Sequence, residues 1–333
     1  MTAPHFFGYD REIVAELERR GAHVDYVPDR PFDAPLLKAA ARFSRAAVLR
    51  HTGNVWREAL ERFGDVQYDY VLIINGQTLP EDVLADLRAS QKGAAFLFYI
   101  WDSLENRGSA LKLLKYFDRT SSFEIDAARA NGMRFRPLFF APSFALSAAD
   151  EAPEIRHDLS FLGTAHSDRY AIVKSIDAGL PADIRRRWFL YLQARWVLSA
   201  YRITNPGFRG ADADDFSFEP MGREDAKAIF WASRTILDIE HPRQKGLTIR
   251  TFETLGARRK LVTTNAEIRR YAFYDPELVQ VIDRAAPVVD PEFLATPAPE
   301  LDADLYQRYS VAGFVDELFD PVDRSASHLR EAA

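Results

Sequence analysis

TILDIEHPRQKGLTIRTFETLGARRKLVTTN, residues 235–265, contains the pattern that decides the fold. An apolar run from Ile236 to Ile239 predicts a buried strand. Gly246 then interrupts regular structure, and helical spacing resumes from Leu247 to Leu255. A second apolar strand is predicted from Leu261 to Thr264. Strand, turn, helix and strand in this order indicate one unit of a doubly wound α/β sheet.

The helix in this stretch begins at Thr248, a residue type that can cap it. A helix start exposes unpaired backbone N–H groups and the positive end of the helix dipole, which together suit a phosphate. Arg250 lies in the first turn and can add a charge-assisted contact to the same anion. Glu253 lies one turn later, where its carboxylate can accept hydrogen bonds from a ribose diol.

A structural interpretation of the same two side chains stays open. Arg250 can be a solvated surface residue, and Glu253 can pair with a Lys or Arg of the same domain. If both side chains are buried in internal ion pairs, or point away from any crevice, the binding interpretation fails.

Seven residues of this stretch carry a family resemblance: Gly246, Leu247, Thr248, Arg250, Phe252, Glu253 and Gly256. Followed by the apolar strand, they resemble the donor-binding segment of GT-B glycosyltransferases, closest to the CgeB-like and lipopolysaccharide or capsule biosynthesis branch. The resemblance implies an α/β chain with two Rossmann-like doubly wound domains facing a cleft. It also implies that Thr248 and Arg250 face phosphate and that Glu253 faces ribose. The nucleotide sugar is then a substrate, and no cofactor or metal is required.

The chain departs from the commonest retaining pattern of that superfamily. That pattern has a Glu-Gly-Phe-Gly-Leu-Pro run and a second Glu eight residues after the first. Here Gln244 stands near the first acidic position, and the spacing is off by one. Gln244 and Gly246 are therefore candidates for donor contact, whereas the stereochemistry of transfer stays open.

Composition limits the class of protein. The 333 residues suffice for two domains of ordinary size. There is no cysteine and no paired histidine spacing, which excludes disulfides and thiolate metal sites. The net charge of −6 argues against a nucleic-acid partner. Because the sequence has no bilayer-length apolar run and no signal peptide, we expect a cytoplasmic protein with at most peripheral contact at the inner membrane face.

The domain limits follow from alternating strand and helix patterns. Residues 1–146 are predicted to form an N-terminal acceptor domain, residues 155–320 a C-terminal donor domain, and residues 321–333 a loose tail. The segment from Ser147 to Glu154 is interpreted as the linker.

The N-terminus is unusual, because no strand is predicted before the first helix. Phe6 to Gly8 leads directly into a helix from Asp10 to Arg20, and a strand is predicted from His23 to Val27. We therefore expect the N-terminal domain to lack its first core strand, with an exposed or differently filled sheet position beside the His23 strand.

A glycosyl transfer needs a base for the acceptor hydroxyl, and in GT-B enzymes this base usually projects from the N-terminal domain. Asp102 fits by position, because it follows the predicted strand from Phe96 to Trp101. The alternatives are an N-cap for the next segment or an ion pair with Arg107. Glu124 and Asp126 are weaker rivals for the same role.

A second strand-to-helix turn follows the predicted strand from His157 to Leu162. Ligands of open α/β sheets bind at such carboxyl ends. Candidate donor contacts in this turn, together with one histidine next to Pro242, are Gly163, Thr164, His166, Arg169 and His241. Gly163 has no Cβ and would let a ligand approach the backbone. For each histidine, a structural role is the alternative.

The motif and the two-domain layout favour a glycosyltransferase that uses a nucleotide-activated sugar donor. The family resemblance alone implies that the acceptor is a cell-surface glycan or glycolipid precursor. A nucleotide-sugar epimerase with the same fold is a second hypothesis. A non-catalytic surface or spore-coat assembly protein with the same fold is a third, because fold alone does not establish activity.

Overall fold

The computed structural model describes residues 1–5, 7–29, 45–106, 108–146 and 153–330. The chain forms two compact units. The first contains Met1–Pro137 and Val311–Ala326, and the second contains Leu138–Ser310 and Ser327–Ala333. Most of the linker predicted from Ser147 to Glu154 lies outside the described residues. Among the residues described, no helix is both long and apolar enough to cross a membrane.

The first unit is built on a six-stranded parallel sheet in the order β2-β1-β3-β4-β5-β6. Its inner strands β3 and β4 are nearly continuous apolar runs, as expected for a sheet that is covered on both faces. The elements are β1 Thr2–Ala3, α1 Tyr9–Arg19, β2 Val27–Pro28, α2 Arg45–Arg62, β3 Tyr70–Ile74, α3 Glu81–Ser90, β4 Ala95–Ile100, β5 Arg119–Ser122, α4 Ile125–Ala130 and β6 Arg134–Phe135.

The first strand, which the sequence predicts to be missing, is present. Thr2 lies between Val27 of β2 and Ile73 of β3, and both Thr2 and Ala3 are buried. The prediction of an open position beside the His23 strand is therefore wrong, and that strand is itself only Val27–Pro28. Two residues are too few to produce an alternating apolar pattern, so β1 has no periodic signal in the sequence. Phe6 lies outside the described residues.

The helix Val311–Phe319 belongs to the first unit, although it follows the whole of the second in the chain. It packs on α1, where Arg20 donates a 2.9 Å hydrogen bond to the Ala312 carbonyl oxygen. Phe314 meets the ring of Tyr99 edge to face, with centroids 4.9 Å apart. From the sequence, this helix is expected in the domain of residues 155–320. Its apolar pattern indicates that one face is buried, but it does not indicate which sheet that face packs against.

The segment after Pro321, expected to be loose, also makes specific contacts. The Ser325 hydroxyl accepts a hydrogen bond from the backbone N–H of Phe135 at 2.9 Å. In the second unit, His328 is fully buried and its ring lies 5.4 Å from that of Tyr309.

The second unit contains a five-stranded parallel sheet in the order β11-β10-β9-β7-β8. The strand order reverses between β7 and β9, and ligands of open parallel sheets usually bind at the carboxyl ends of the two strands at such a reversal. The elements are β7 His157–Thr164, α5 Arg169–Gly179, β8 Arg186–Tyr191, α6 Arg195–Thr204, α7 Arg223–Trp231, β9 Ser233–Asp238, α8 Ile249–Gly256, β10 Lys260–Thr263, β11 Val279–Val281, α9 Pro291–Ala295 and α10 Ala303–Arg308.

The strand, helix and strand predicted within residues 235–265 are confirmed. β9 and β10 are parallel neighbours, with Ile236 opposite Leu261, and α8 connects them. Thr248 is the N-cap of α8, as predicted: its hydroxyl accepts a hydrogen bond from the backbone N–H of Arg250.

Gly256, the last residue of α8, lies against the buried ring of Phe140. A Cβ atom at this position would lie 2.7 Å from Cγ of Phe140 and 2.8 Å from its Cδ2. These distances are shorter than any van der Waals contact, so a larger residue would displace the ring or the helix. The glycine is therefore required by packing.

We expect Gly256→Ala to lower the free energy of unfolding by about 1–3 kcal/mol, the usual effect of overpacking a core. The measurement is urea denaturation followed by tryptophan fluorescence. Gly179→Ala is the matched control, because Gly179 also ends a helix and a Cβ there meets no atom within 4 Å. Equal loss of stability in the two variants would contradict the packing role of Gly256.

Candidate functional site

The loops that follow β7 and β9 meet at the carboxyl edge of the second sheet. Arg169 joins them, since its Nε donates to the carbonyl oxygen of Ile239 at 2.7 Å and its Nη1 to that of Thr164 at 3.3 Å. The rings of His166 and His241 lie next to each other, with centroids 5.5 Å apart. The structure thus brings together four of the predicted donor residues: Thr164, His166, Arg169 and His241. They lie where the strand order reverses, which is the usual ligand position in such sheets.

Asp238 attaches the N-terminus of α8 to the end of β9. One oxygen of its buried carboxylate accepts from the hydroxyl of Thr248 at 2.6 Å and from that of Thr251 at 2.8 Å. The Thr248 hydroxyl in turn accepts from the backbone N–H of Arg250 at 3.1 Å. The helix start is therefore held in a fixed position at the sheet edge. In the sequence, the signal for this role is a single acidic residue inside an apolar run.

Arg250 and Glu253 form an ion pair with each other. Nη1 of Arg250 donates to Oε2 of Glu253 at 3.1 Å, as their i,i+3 spacing on α8 allows. The Glu253 side chain is 6 % exposed and that of Arg250 is 26 % exposed. The guanidinium also lies over the ring of Phe230, 5.3 Å from its centroid. The structure therefore contains the arginine pairing of Glu253 that the sequence left open as an alternative to ligand binding.

This pairing corrects one part of the sequence hypothesis. The two side chains are bonded to each other and are therefore not two independent contacts for phosphate and ribose. Glu253 meets the condition of burial in an internal ion pair, whereas Arg250 keeps a quarter of its side-chain surface exposed. Any binding role therefore belongs to the ion pair as a whole, and a ligand would reach it at the exposed part of Arg250.

An arginine network that the sequence did not indicate fixes the neighbouring loops. Arg284, which follows β11, donates to both carboxylate oxygens of Asp168 at 2.8 Å and to the carbonyl oxygen of Glu240 at 2.9 Å. It also donates to the Glu240 carboxylate, which accepts from the Thr264 hydroxyl as well. The loops after β7, β9, β10 and β11 are thereby connected.

The two carboxyl groups in this network have opposite pKa shifts. The hydrogen bonds from Arg284 lower the pKa of Asp168, so it stays ionised. Burial raises the pKa of Glu240, against the opposing effects of Thr264 and Arg284. No sequence pattern predicts this network, because Asp168 and Arg284 are 116 residues apart.

Both histidines at this edge are neutral near pH 7. Burial, and then the charge of Arg169, lower the pKa of His166 to about 4. Burial also lowers the pKa of His241, with Arg243 as the next cause. Nδ1 of His166 is hydrogen-bonded to the Ser167 hydroxyl at 2.7 Å. The pair can therefore offer hydrogen bonds to a ligand, but not positive charge.

Gly163 has a different role from the one predicted. It lies inside β7 and not in the turn that follows. A Cβ there would lie 3.0 Å from Cζ of Phe161 and 3.5 Å from Nη1 of Arg169. Packing of these two side chains explains the glycine. The strand continues to Thr164 because both residues pair with β8.

Gln244 and Gly246 belong to the turn that precedes α8. The Gln244 side-chain amide donates to the Gly246 carbonyl oxygen at 3.0 Å, and its backbone N–H donates to the carbonyl oxygen of His241 at 2.8 Å. Asn265, which follows β10, donates to the carbonyl oxygen of Lys245 at 3.2 Å. These bonds shape the turn, so any donor contact from Gln244 adds to a structural role.

Asp102 lies at the carboxyl edge of the first sheet, two residues after β4. The side-chain amide of Asn75 donates to Oδ2 of Asp102 at 2.9 Å, and Oδ1 of Asn75 accepts from the backbone N–H of Trp101 at 3.1 Å. Asn75 has a φ of 65°, which is unusual for a residue other than glycine. Asn75 therefore orients the carboxylate. Arg107, the alternative partner, lies outside the described residues.

No protein family and no curated protein matches this sequence. Solved structures of HepE from Anabaena share the fold. The HepE complex with UDP-glucose has a TM-score of 0.55 and 10 % identity, over 95 % of this chain and 95 % of HepE. The complex with UDP and glucose has a TM-score of 0.52 and 12 % identity, over 90 % and 86 %.

A glycosyltransferase from Rickettsia africae is more distant, with a TM-score of 0.48 and 8 % identity over 96 % of this chain and 86 % of that protein. At these identities the likeness extends to the fold alone. The likeness to the HepE structures, together with the two parallel sheets, confirms the predicted class, an α/β chain with two Rossmann-like domains of the GT-B type.

The pKa of His166 gives a direct test of the site's electrostatics. We expect NMR titration of its ring protons to give a midpoint near pH 4, with the signal assigned by its loss in His166→Gln. Because the unfolded chain binds this proton near pH 6.5 and the folded chain near pH 4, the free energy of unfolding should fall as the pH falls across that window. A midpoint near 6.5 would contradict burial beside Arg169.

Proposed function

We propose that this chain is a glycosyltransferase that binds a nucleotide sugar at the carboxyl edge of the second sheet. The observation that carries the proposal is the fixed N-terminus of α8, where Asp238, Thr248 and Arg250 are joined by hydrogen bonds. The fold adds support, because the HepE structures of the same fold are complexes with UDP-glucose and with UDP and glucose. The acceptor proposed from the sequence is a cell-surface glycan precursor.

The diphosphate of the donor would bind at the first turn of α8. Backbone N–H groups and the helix dipole favour an anion at this position. Arg250 adds a formal positive charge, and its bond to Glu253 engages only one of the five N–H donors of a guanidinium. His166 and His241 would contribute neutral hydrogen bonds from the neighbouring loops.

The ribose would bind at Glu253. A carboxylate that holds an arginine can also accept hydrogen bonds from hydroxyl groups. The ion pair would then direct Arg250 toward the phosphates. A change at Glu253 should therefore affect nucleotide binding more strongly than binding of phosphate alone.

Two measurements test the function. A thermal-shift panel of UDP, GDP, CMP and ADP identifies the nucleotide, because a ligand of the folded state raises the apparent stability. The matching nucleotide sugar is then incubated with and without an acceptor glycan. Sugar transfer to the acceptor supports a glycosyltransferase, and interconversion of the donor alone indicates an epimerase. Absence of both binding and turnover favours the non-catalytic alternative.

Pyrophosphate and a nucleoside diphosphate can distinguish the contribution of Arg250 from that of Glu253. We expect Arg250→Met to weaken binding of both pyrophosphate and the nucleoside diphosphate found in the panel. Glu253→Gln should weaken binding of the nucleotide more than binding of pyrophosphate, because pyrophosphate has no ribose. Loss of a charged hydrogen bond corresponds to roughly a ten- to hundredfold loss of affinity by calorimetry.

The matched controls are Arg270→Met and Glu267→Gln, which break an i,i+3 ion pair of 2.6 Å in the same unit. They should bind both ligands as the wild type does. Wild-type nucleotide affinity in both Arg250→Met and Glu253→Gln would exclude the proposed donor site.

A further inference from the structure

The turn between β9 and α8, residues 241–246, carries two positively charged side chains that the proposed function does not use. Arg243 and Lys245 are both exposed. Within the part of the chain that the structure describes, neither side chain forms an ion pair with a carboxylate. Because the turn follows β9, both charges lie at the same sheet edge as the candidate donor site. They are therefore available to a ligand that binds there.

Internal hydrogen bonds fix the backbone of this turn. The backbone N–H of Arg243 donates to Nδ1 of His241 at 3.2 Å, and that of Gln244 donates to the His241 carbonyl oxygen at 2.8 Å. At the other end of the turn, the side-chain amide of Asn265 donates to the carbonyl oxygen of Lys245 at 3.2 Å. The points at which the two cationic side chains leave the backbone are thereby set by the fold.

The first of these bonds also sets the tautomer of His241. Because Nδ1 accepts a hydrogen bond, the proton of the neutral ring lies on Nε2, which is a donor. The charge of Arg243 is, after burial, the largest cause of the lowered pKa of His241, so the guanidinium lies close to this ring. The turn therefore presents hydrogen-bond donors: one neutral N–H group and two cations.

The carboxylates next to this turn are engaged inside the protein. Asp238 accepts hydrogen bonds from two threonine hydroxyls at the start of α8. Glu240 and Asp168 both accept hydrogen bonds from the guanidinium of Arg284. Hydroxyl groups of a neutral sugar are commonly bound by carboxylate oxygens, and here these oxygens already have partners. The groups left for a ligand at the turn are those that bind hydrogen-bond acceptors and negative charge.

The covalent order of a nucleotide sugar relates this turn to the donor. Ribose, diphosphate and sugar follow one another, so the diphosphate separates the sugar from the ribose. In the proposed site the ribose binds at Glu253 and the diphosphate at the first turn of α8. This order directs the sugar away from Glu253 and toward the turn that precedes the helix. Arg243 and Lys245 then lie on the sugar side of the diphosphate.

We propose that the donor is a nucleotide-activated uronic acid and that Arg243 and Lys245 bind its carboxylate. This inference rests on the proposed function and names the class of sugar that the same site takes. A guanidinium offers a fork of N–H donors that matches the two oxygens of a carboxylate, and a lysine ammonium adds a compact charge. A neutral sugar would leave both charges without a counterion.

The competing explanation is that both side chains are only solvated, as exposed arginine and lysine often are. In that case their charges would attract every nucleotide to a similar extent, whatever sugar it carries. The measurement that distinguishes the two explanations is therefore the difference in affinity between an acidic and a neutral sugar on the same nucleotide. The affinity for a single ligand does not distinguish them.

Two pairs of probes provide this comparison by calorimetry: UDP-glucuronate with UDP-glucose, and GDP-mannuronate with GDP-mannose. The members of each pair differ only at C6, which is a carboxylate in one and a hydroxymethyl group in the other. We expect the wild-type protein to bind the acidic member of one pair about tenfold more tightly, the lower range for a charged hydrogen bond. Equal affinity for the two members of both pairs, or binding of neither pair, overturns the inference.

Variants assign the preference to the two cations. Arg243→Gln and Lys245→Gln should each reduce the preference for the acidic sugar, and the double variant should abolish it. The affinity for the nucleoside diphosphate without a sugar should stay at the wild-type value. The wild-type preference should also fall as the salt concentration rises, because both side chains are exposed. If the variants weaken the nucleoside diphosphate as much as the acidic sugar, the charges serve the phosphates and the inference is overturned.

Arg187→Gln is the matched control. Arg187 is also an exposed arginine of the second unit, but it is the second residue of β8 and so lies near the opposite edge of the sheet. This variant should keep the full preference for the acidic sugar. If the wild-type protein binds no nucleotide of the panel, the proposed function fails. If it binds a nucleotide but does not distinguish the acidic from the neutral sugar, only the assignment of the sugar class fails.

Discussion

The carboxylate of Asp238 is the constraint on which the second unit's site depends. A carboxylate that is almost completely buried must be hydrogen-bonded, and Asp238 meets this need with the hydroxyls of Thr248 and Thr251. Because both threonines belong to the start of α8, the bond fixes the helix N-terminus relative to the last residue of β9. The position at which α8 can present its backbone N–H groups is thus determined by the sheet.

The other charges around this edge are largely compensated within the protein. Arg284 is held between Asp168 and Glu240, and Arg169 is directed at backbone carbonyl oxygens. His166 is uncharged near neutral pH. An anion at this edge would therefore meet helix N–H groups and the exposed part of Arg250, in a setting that is already rigid. Such preorganisation reduces the reorganisation that binding requires.

Residues that act locally could be predicted from the sequence, and residues that act at a distance could not. The strands around α8 and the capping role of Thr248 depend on neighbours within a few positions, and both were predicted. The two-residue strand β1 left no periodic pattern, and the sequence therefore led to an incorrect expectation of a missing strand.

The sequence by itself determined the α/β class, the strand and helix that carry the candidate site, and the absence of cysteine chemistry. These follow from periodicity, capping and composition, which are properties of adjacent residues. Only the tertiary structure decided that Glu253 pairs with Arg250, that Arg284 joins loops more than a hundred residues apart, and that Val311–Phe319 packs on the first unit. Each of these is a choice among partners of similar chemistry, and that choice depends on strand order and packing, which local sequence does not encode.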